Sequence, residues 1–490
     1  MLRRSGFVLI LLVLAMILNR SVQAGETRNV LLICVDDLKP SFGAYGDKWV
    51  VSPNLDRLAS MGMTFEKAYC NQAVCAPSRN HLLVGQRSTT LGIYDLGTNF
   101  RRSVPDAVTL PQHFKNHGYH VTGAGKIFHI GHGNVGDERS WSEPFQKESV
   151  VEYVLPESRH GAEMTKEEAL FSNKPAKGLA RGAAWEIAEV ADDQYADGRT
   201  ARYGAKQIAD YAKCGKPFFL ALGFAKPHLP FCAPKKYWDL YDPAKLPLST
   251  MTAFPEGAPR YADKGLIEID QYTPVPNRKP FTEELQRELL HGYYASLSYM
   301  DAQLGLVLDA LKETGLDEKT VVVLWGDHGY HLGDHGMWTK HTNYEQANRI
   351  PLLISAPGVA QAGTRSVSVV ETVDIYPTLC ELAGLPVDEN QTLEGTSLVP
   401  LLKDPKLDLE DHAYHAYPRG ERMGRAIRTS RYRMVEWKPI GASDDQAEYE
   451  LYDYQEDPGE AMNLASKQPE VLESLKKILA SHPEPKRPVR

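Results

Sequence analysis

Two short apolar runs, each ending in acidic residues, constrain this chain more than any other feature. Asn29–Val35 (NVLLICV) is followed at once by Asp36 and Asp37, and residues 321–325 (VVVLW) by Gly326, Asp327 and His328. Unbroken aliphatic and β-branched runs of this length fit strands buried on both faces, as in a parallel sheet. Phe218–Phe224 (FFLALGF) and residues 350–355 read the same way, and residues 119–123 as a shorter strand. Helical patterns lie between them: Pro53–Met61 with Leu55, Leu58 and Ala59 on one side, residues 110–117, and a long amphipathic stretch over 281–314. This alternation predicts an α/β fold with a doubly wound, mostly parallel sheet.

Residues 132–200 and 232–280 are polar, contain Gly and Pro, and show no strong period. They read as long insertions on the functional rim of the sheet. Beyond about residue 385 the pattern changes to short strand-like pieces at 425–429, 431–437 and 448–454, with a final helix near 469–480. The expected organisation is a main domain over 25–385 and a smaller α+β subdomain over 386–490. Residues 1–24 read as an export signal: Arg3 and Arg4, an apolar run over 7–18, then Val22-Gln23-Ala24 as a cleavage point. That run is short for a hydrocarbon core of ~30 Å. No later run reaches the ~18 apolar residues of a spanning helix, so no integral membrane segment is expected in the mature chain.

Acidic residues number 63 against 55 basic ones, a net charge of −8. Non-specific nucleic-acid binding rests on many Lys and Arg contacts to phosphate, so nucleic acid is a poor partner. An anionic ligand must instead meet a local group of cations or a metal. The six cysteines form no CxxC pair, which argues against a zinc ribbon. Cys34 sits inside the first apolar run and reads as a small buried hydrophobe.

In open α/β sheets ligands collect beyond the carboxyl ends of the strands. Asp36, Asp37, Asp327 and His328 therefore share one rim. Carboxylates crowded together repel unless a cation neutralises them. Hard oxygen ligands favour Ca²⁺ or Mg²⁺.

The segment 71–87 reads NQAVCAPSRNHLLVGQR. Pro77 suits a first helical turn, which places Cys75 at a helix N-terminus, where backbone N–H groups favour an anion. Arg79 follows one turn along. On these residues alone, a capped surface helix with an incidental cysteine reads equally well.

Here the chain resembles the type I sulfatases. Their signature is Cys-x-Pro-Ser-Arg followed by a Leu-x-Gly-Arg-like stretch, matched by Cys75, Pro77, Ser78 and Arg79 and then Leu82, Leu83, Gly85 and Arg87, with Val84 and Gln86 as departures. Gly125-Lys126-Ile127-Phe128-His129, residues 226–231 (KPHLPF), residues 325–329 (WGDHG) and Trp338-Thr339-Lys340 match further segments in the same order. The resemblance runs from Asn29 to about Leu464. It implies that Cys75 is oxidised to Cα-formylglycine by a formylglycine-generating enzyme before or during export. It implies one Ca²⁺ held by Asp36, Asp37, Asp327, His328 and the modified Cys75. Arg79, Lys126 and Lys340 would neutralise the sulfate, with Trp338 beside Lys340 at the substrate. His129 would bind or deprotonate the formylglycine hydroxyl, and His228 would protonate the leaving alkoxide. His331, Asp334 and His335 read equally well as loop-capping or as substrate contacts. Within the family, residues 35–40 (VDDLKP), His328 and residues 294–301 (YASLSYMD) point to the members that act on 2-O-sulfated uronic acid in glycosaminoglycans. The implied partner is a sulfated glycan; a sulfated galactan would share every core motif. A phosphatase or phosphodiesterase on the same fold would use Ser or Thr and usually two metals, and a glycan-binding protein would leave Cys75 a thiol.

Overall fold

A computed structural model describes residues 28–265, 268–277, 279–387 and 391–489; the export signal expected over 1–24 lies outside these residues. The first apolar run forms β1 (Asn29–Val35) at the centre of a large sheet. It is followed in the chain by α1 (Pro53–Met61), β2 (Met63–Tyr69), α2 (Cys75–Val84), α3 (Leu110–Asn116) and β3 (His120–Gly125). Then come α4 (Lys166–Phe171), α5 (Ala196–Cys214), β4 (Phe218–Phe224), α6 (Glu283–Thr314), β5 (Thr320–Gly326), β6 (Leu352–Ser355) and β7 (Thr364–Glu371). The sheet order is β7-β2-β6-β5-β1-β4-β3. β6 runs antiparallel to its neighbours β2 and β5, and the other pairings along this path are parallel. β1, β2, β3, β4 and β5 therefore point their carboxyl ends at one rim.

β1 shows why the run is unbroken. Leu31, Ile33 and Val35 enter one core with α5 and α6, while Val30, Leu32 and Cys34 enter another with α2 and α3. Both faces are covered, so a polar residue on either would be buried. Each such aliphatic side chain contributes about 1.5–3 kcal/mol of burial. α6 buries Leu289, Tyr293, Leu297, Met300 and Leu304 against the sheet, and its start is capped by Thr282 accepting from the Leu285 N–H at 3.3 Å.

A second, antiparallel sheet holds β8 (His412–Arg419), β9 (Arg422–Thr429), β10 (Tyr432–Pro439) and β11 (Glu448–Asp453) in that order. It is backed by α7 (Pro469–Leu479), whose Leu475 and Leu479 pack on Met423 and Ile427. β9, β10 and β11 cover the strand-like pieces read from the sequence, whereas β2, β7 and β8 were not anticipated. β2 and β8 alternate apolar and polar residues too irregularly to stand out. The second sheet is tied to the segment before α2: the Ala416 N–H donates to the Asn71 carbonyl at 2.9 Å, and Asn71 Nδ2 to the Tyr414 carbonyl at 2.8 Å.

At the rim, the backbone of Lys126 crosses directly over Gly223 of β4. The Lys126 N–H donates to the Gly223 carbonyl at 2.9 Å, and a Cβ on Gly223 would lie 2.2 Å from the Lys126 carbonyl carbon and oxygen. Only the absence of a side chain lets β3 exit over β4. Gly223→Ala is expected to cost about 1–3 kcal/mol, as overpacking does. A thermal scan would show a lower midpoint, and an unchanged midpoint would contradict this contact.

Candidate active site

The rim is stitched together by Asp327. Its backbone N–H donates to the Val35 carbonyl at 3.0 Å, which keeps β5 beside β1 past the end of both strands. Its Oδ1 accepts the backbone N–H groups of Asp37 at 3.1 Å and His328 at 2.9 Å. Its other oxygen receives Arg79 from α2, Nε at 3.1 Å and Nη2 at 2.9 Å. Asp37 takes a left-handed backbone conformation, φ 56°, which turns the chain sharply after β1.

Arg79 is the counterion of the rim. Nη2 also reaches Asp36 Oδ1 at 3.2 Å, Nη1 donates to the Lys126 carbonyl, and the side chain has no solvent exposure. The sequence reading assigned Arg79 to the sulfate. In the structure its guanidinium lies between Asp36 and Asp327.

Asp36, Asp37, Cys75 and His328 each offer a ligand atom within 4.8 Å of the others, and all four are buried. Cys75 opens α2 as expected, and its Sγ lies 3.3 Å from His328 Nε2. Burial opposes the charged form of every group here. Neighbours then divide the carboxylates: Lys126, His228 and Arg79 outweigh burial at Asp36 and hold it well below the carboxylate range. Burial with Asp36 nearby pushes Asp327 well up, and burial against Lys340 leaves Asp37 at about 7. Burial, with Lys340 next, brings His328 down to about 3, so the imidazole is neutral and its lone pair is free for a metal. Oxygen donors and a neutral imidazole around one buried point suit a divalent cation. Asp327, the remaining predicted ligand, borders this group: its Oδ1 lies 3.5 Å from His328 Nε2, and its carboxylate also holds Arg79 and two backbone N–H donors.

The substrate side carries the remaining cations. Lys126 pairs with Asp36. Lys340 Nζ lies 3.1 Å from both Asp37 oxygens. His228 follows β4 on a turn held by Asp197, whose carboxylate accepts the N–H groups of Ala225 at 2.7 Å and Lys226 at 2.9 Å. His228 Nε2 is 3.9 Å from Asp36 Oδ2. Trp338 is not brought here: it is 2% exposed and packs in the core beside Phe281, with ring centroids 6.3 Å apart. His331, Asp334 and His335 also lie elsewhere in the packing: Asp334 pairs with Lys39 at 2.8 Å, His331 Nε2 meets Thr342 at 2.9 Å, and His335 faces Glu460 at 3.5 Å.

The two insertions supply what sequence reasoning missed. Glu268 from 232–280 sits 3.2 Å from Lys340 Nζ and 3.6 Å from His228 Nε2. Its carboxyl is held at about 2: Lys340 and His228 outweigh its burial. From 132–200 come His132, with Nδ1 3.2 Å from His129 Nε2, and Phe171 at the end of α4. The Phe171 ring contacts His129 at 5.5 Å, His132 at 5.1 Å and His228 at 5.8 Å, and Lys126 Nζ lies 5.0 Å from its centroid. A lone Phe, Glu or His in a polar insertion carries no periodic signal.

Removing Arg79 leaves Asp36 and Asp327 buried with one cation fewer, a change that typically costs about 3–5 kcal/mol. Arg79→Gln is therefore expected to lower the thermal midpoint strongly. Arg79→Lys should fall between, because one ammonium cannot bridge both carboxylates. Equal midpoints for all three proteins would refute this role.

Residues 28–385 match the family described as Sulfatase, and residues 333–484 match "N-sulphoglucosamine sulphohydrolase, C-terminal". The chain is 32% identical to Iduronate 2-sulfatase of Mus musculus, over 90% of this chain and 91% of that protein. It is 31% identical to a protein named Sulfatase from Formosa agariphila, over 92% and 86%. A solved structure described as in complex with its substrate D-glucosamine-2-N,6-O-disulfate superposes with a TM-score of 0.72 at 20% identity, covering 92% of this chain and 97% of that one. The chain belongs to the sulfatase family and is a sulfuric ester hydrolase.

Proposed function

We propose that the enzyme removes the 2-O-sulfate from a uronic acid of a sulfated glycan, using formylglycine made from Cys75 and one Ca²⁺. The observation that carries the mechanism is that Cys75, at the N-terminus of α2, shares one buried point with Asp36, Asp37 and His328. Those residues would hold the cation, which when bound supplies positive charge against the sulfate. Formylglycine would supply a hydrated aldehyde, one hydroxyl to attack sulfur and a second whose deprotonation releases sulfate; neither a thiol nor a serine hydroxyl offers both. Lys126 and Lys340 stand at the same point and would neutralise charge on the sulfate oxygens as it develops. His228 would give a proton to the leaving sugar oxygen. Cys75 is 2% exposed, and burial raises its thiol pKa well above the usual range. In this reading the maturation enzyme must reach it before the chain folds, which fits export through a signal at 1–24.

The uronate reading rests on likeness to Iduronate 2-sulfatase over nine-tenths of the chain. One observation favours a second substrate, a sulfated galactan. Glu268 places a negative charge beside Lys340 and His228, where a uronate would bring its own carboxylate and a galactose would not.

The test is sulfate release from a 2-O-sulfated uronate disaccharide and, in parallel, a sulfated galactan oligosaccharide, with protein co-produced with a formylglycine-generating enzyme. Release from the uronate alone is expected, with none from Cys75→Ser and loss on treatment with a chelator. Release only from the galactan would overturn the substrate, and full turnover by Cys75→Ser would overturn the mechanism. Glu268→Gln is expected to lower the inhibition constant of inorganic sulfate several-fold, because Lys340 loses an internal counterion. An unchanged constant would show that Glu268 does not compete for the anion's place.

A further inference from the structure

His132 has no part in the chemistry described so far, yet it is held in the active site against a backbone preference. It takes φ 55°, a left-handed conformation that is uncommon outside glycine and is unfavourable unless the surroundings impose it. The surroundings do impose it. The His132 N–H donates to the Leu170 carbonyl of α4 at 2.9 Å, and the next N–H, of Gly133, donates to Asn173 Oδ1 at 2.8 Å. Asn173 Nδ2 in turn donates to the Asn134 carbonyl at 2.8 Å. At Gly131 a Cβ would lie 2.7 Å from the Phe171 Cα, so the loop packs directly on the backbone of α4. The result is a side chain aimed at one partner: His132 Nδ1 and His129 Nε2 are 3.2 Å apart, with Phe171 against both rings.

The other nitrogen of His129 completes the observation. His129 Nδ1 is buried and has no hydrogen-bond partner in the structure. A buried polar atom of this kind is costly unless it faces a group that arrives later. Of the two tautomers, the one with a proton on Nε2 donates to His132 and leaves a lone pair on Nδ1. The other puts the proton on Nδ1, where it has nothing to donate to.

We propose that His132 is a positioning residue: its Nδ1 accepts the Nε2–H of His129, fixing the ring and the tautomer that presents Nδ1 as an acceptor to the formylglycine hydroxyl at position 75. The arrangement has the logic of a base held by a third group, with a neutral imidazole in the place a carboxylate often takes. Burial, with Lys126 next, keeps both rings neutral, His132 with a value of about 4, so neither is a cation competing with Lys126 and Lys340. This inference rests on the formylglycine reading for the identity of the hydroxyl, but the tautomer itself does not depend on it.

The test therefore has two readouts. The first is the imidazole nitrogen spectrum of the full chain labelled with ¹⁵N-histidine, with Cys75 left unconverted and the His129 signals assigned by His129→Gln. The expected result is a neutral His129 protonated at Nε2, shifting to a tautomer mixture in His132→Ala. A wild-type His129 protonated at Nδ1, or spectra identical in the two proteins, overturns the proposal whether or not the protein turns over. The second readout uses converted enzyme. His132→Ala is expected to lower kcat roughly tenfold or more with KM changed less than about twofold, the range open to a displaced general base. His132→Asn, whose Oδ1 stands close to the position of Nδ1 and still accepts, is expected to recover most of that loss. Equal impairment of the Ala and Asn variants, or a loss confined to KM, overturns the positioning role. If converted wild-type protein releases no sulfate from either glycan, the substrate reading fails and the nitrogen spectrum alone decides this one.

Discussion

Everything at the rim depends on balancing charge where water is absent. Asp36, Asp37 and Asp327 arrive together because β1 and β5 are neighbours and run the same way. Carboxylates so placed cannot all be ionised without cations close by. Arg79 answers from α2, while Lys126 and Lys340 answer from the segments after β3 and β5. The helix that supplies Arg79 also begins with Cys75, so the element that neutralises the carboxylates sets the position of Cys75. A shift of α2 would disturb both together.

This division sorts cations that look alike in the sequence. Arg79 makes a planar two-carboxylate bridge with no exposure, a task suited to guanidinium. Lys126 and Lys340 are compact charges, each paired with one carboxylate of the rim. Glu268 pairs with Lys340 and lies beside His228, so Lys340 has a second internal counterion besides Asp37.

Much of this was legible in the chain. β1, β4 and β5 show as unbroken apolar runs because both faces of the central strands are covered, and the rule that ligands gather at carboxyl ends then placed Asp36, Asp37, Asp327 and His328 on one edge. The order of motifs around Cys75, Lys126, His228 and Lys340 located the rest of the constellation. What was hidden divides by physical cause. β2 and β8 were missed because their alternation is weak. Trp338 was misplaced because adjacency in sequence to Lys340 says nothing about which way a side chain turns: Lys340 turns to the rim and Trp338 to the core. The pairing of Asp327 with Arg79 was hidden because a motif names residues and not their partners. His132, Phe171 and Glu268 come from segments without periodicity, and only the folded path of those segments brings them to the rim.

Phe171 has a consequence for how such an enzyme can change. One ring from the insertion over 132–200 touches His129, His132, His228 and Lys126, so that insertion also buttresses residues on the exits of β3 and β4. Remodelling that insertion for a new sugar cannot be a purely peripheral edit. Any drift of α4 reaches His129, His132 and His228 through that ring and through the Leu170 carbonyl that holds the His132 N–H, and a lineage exploring new substrates through this loop would have to keep an equivalent prop or re-tune the rim at each step.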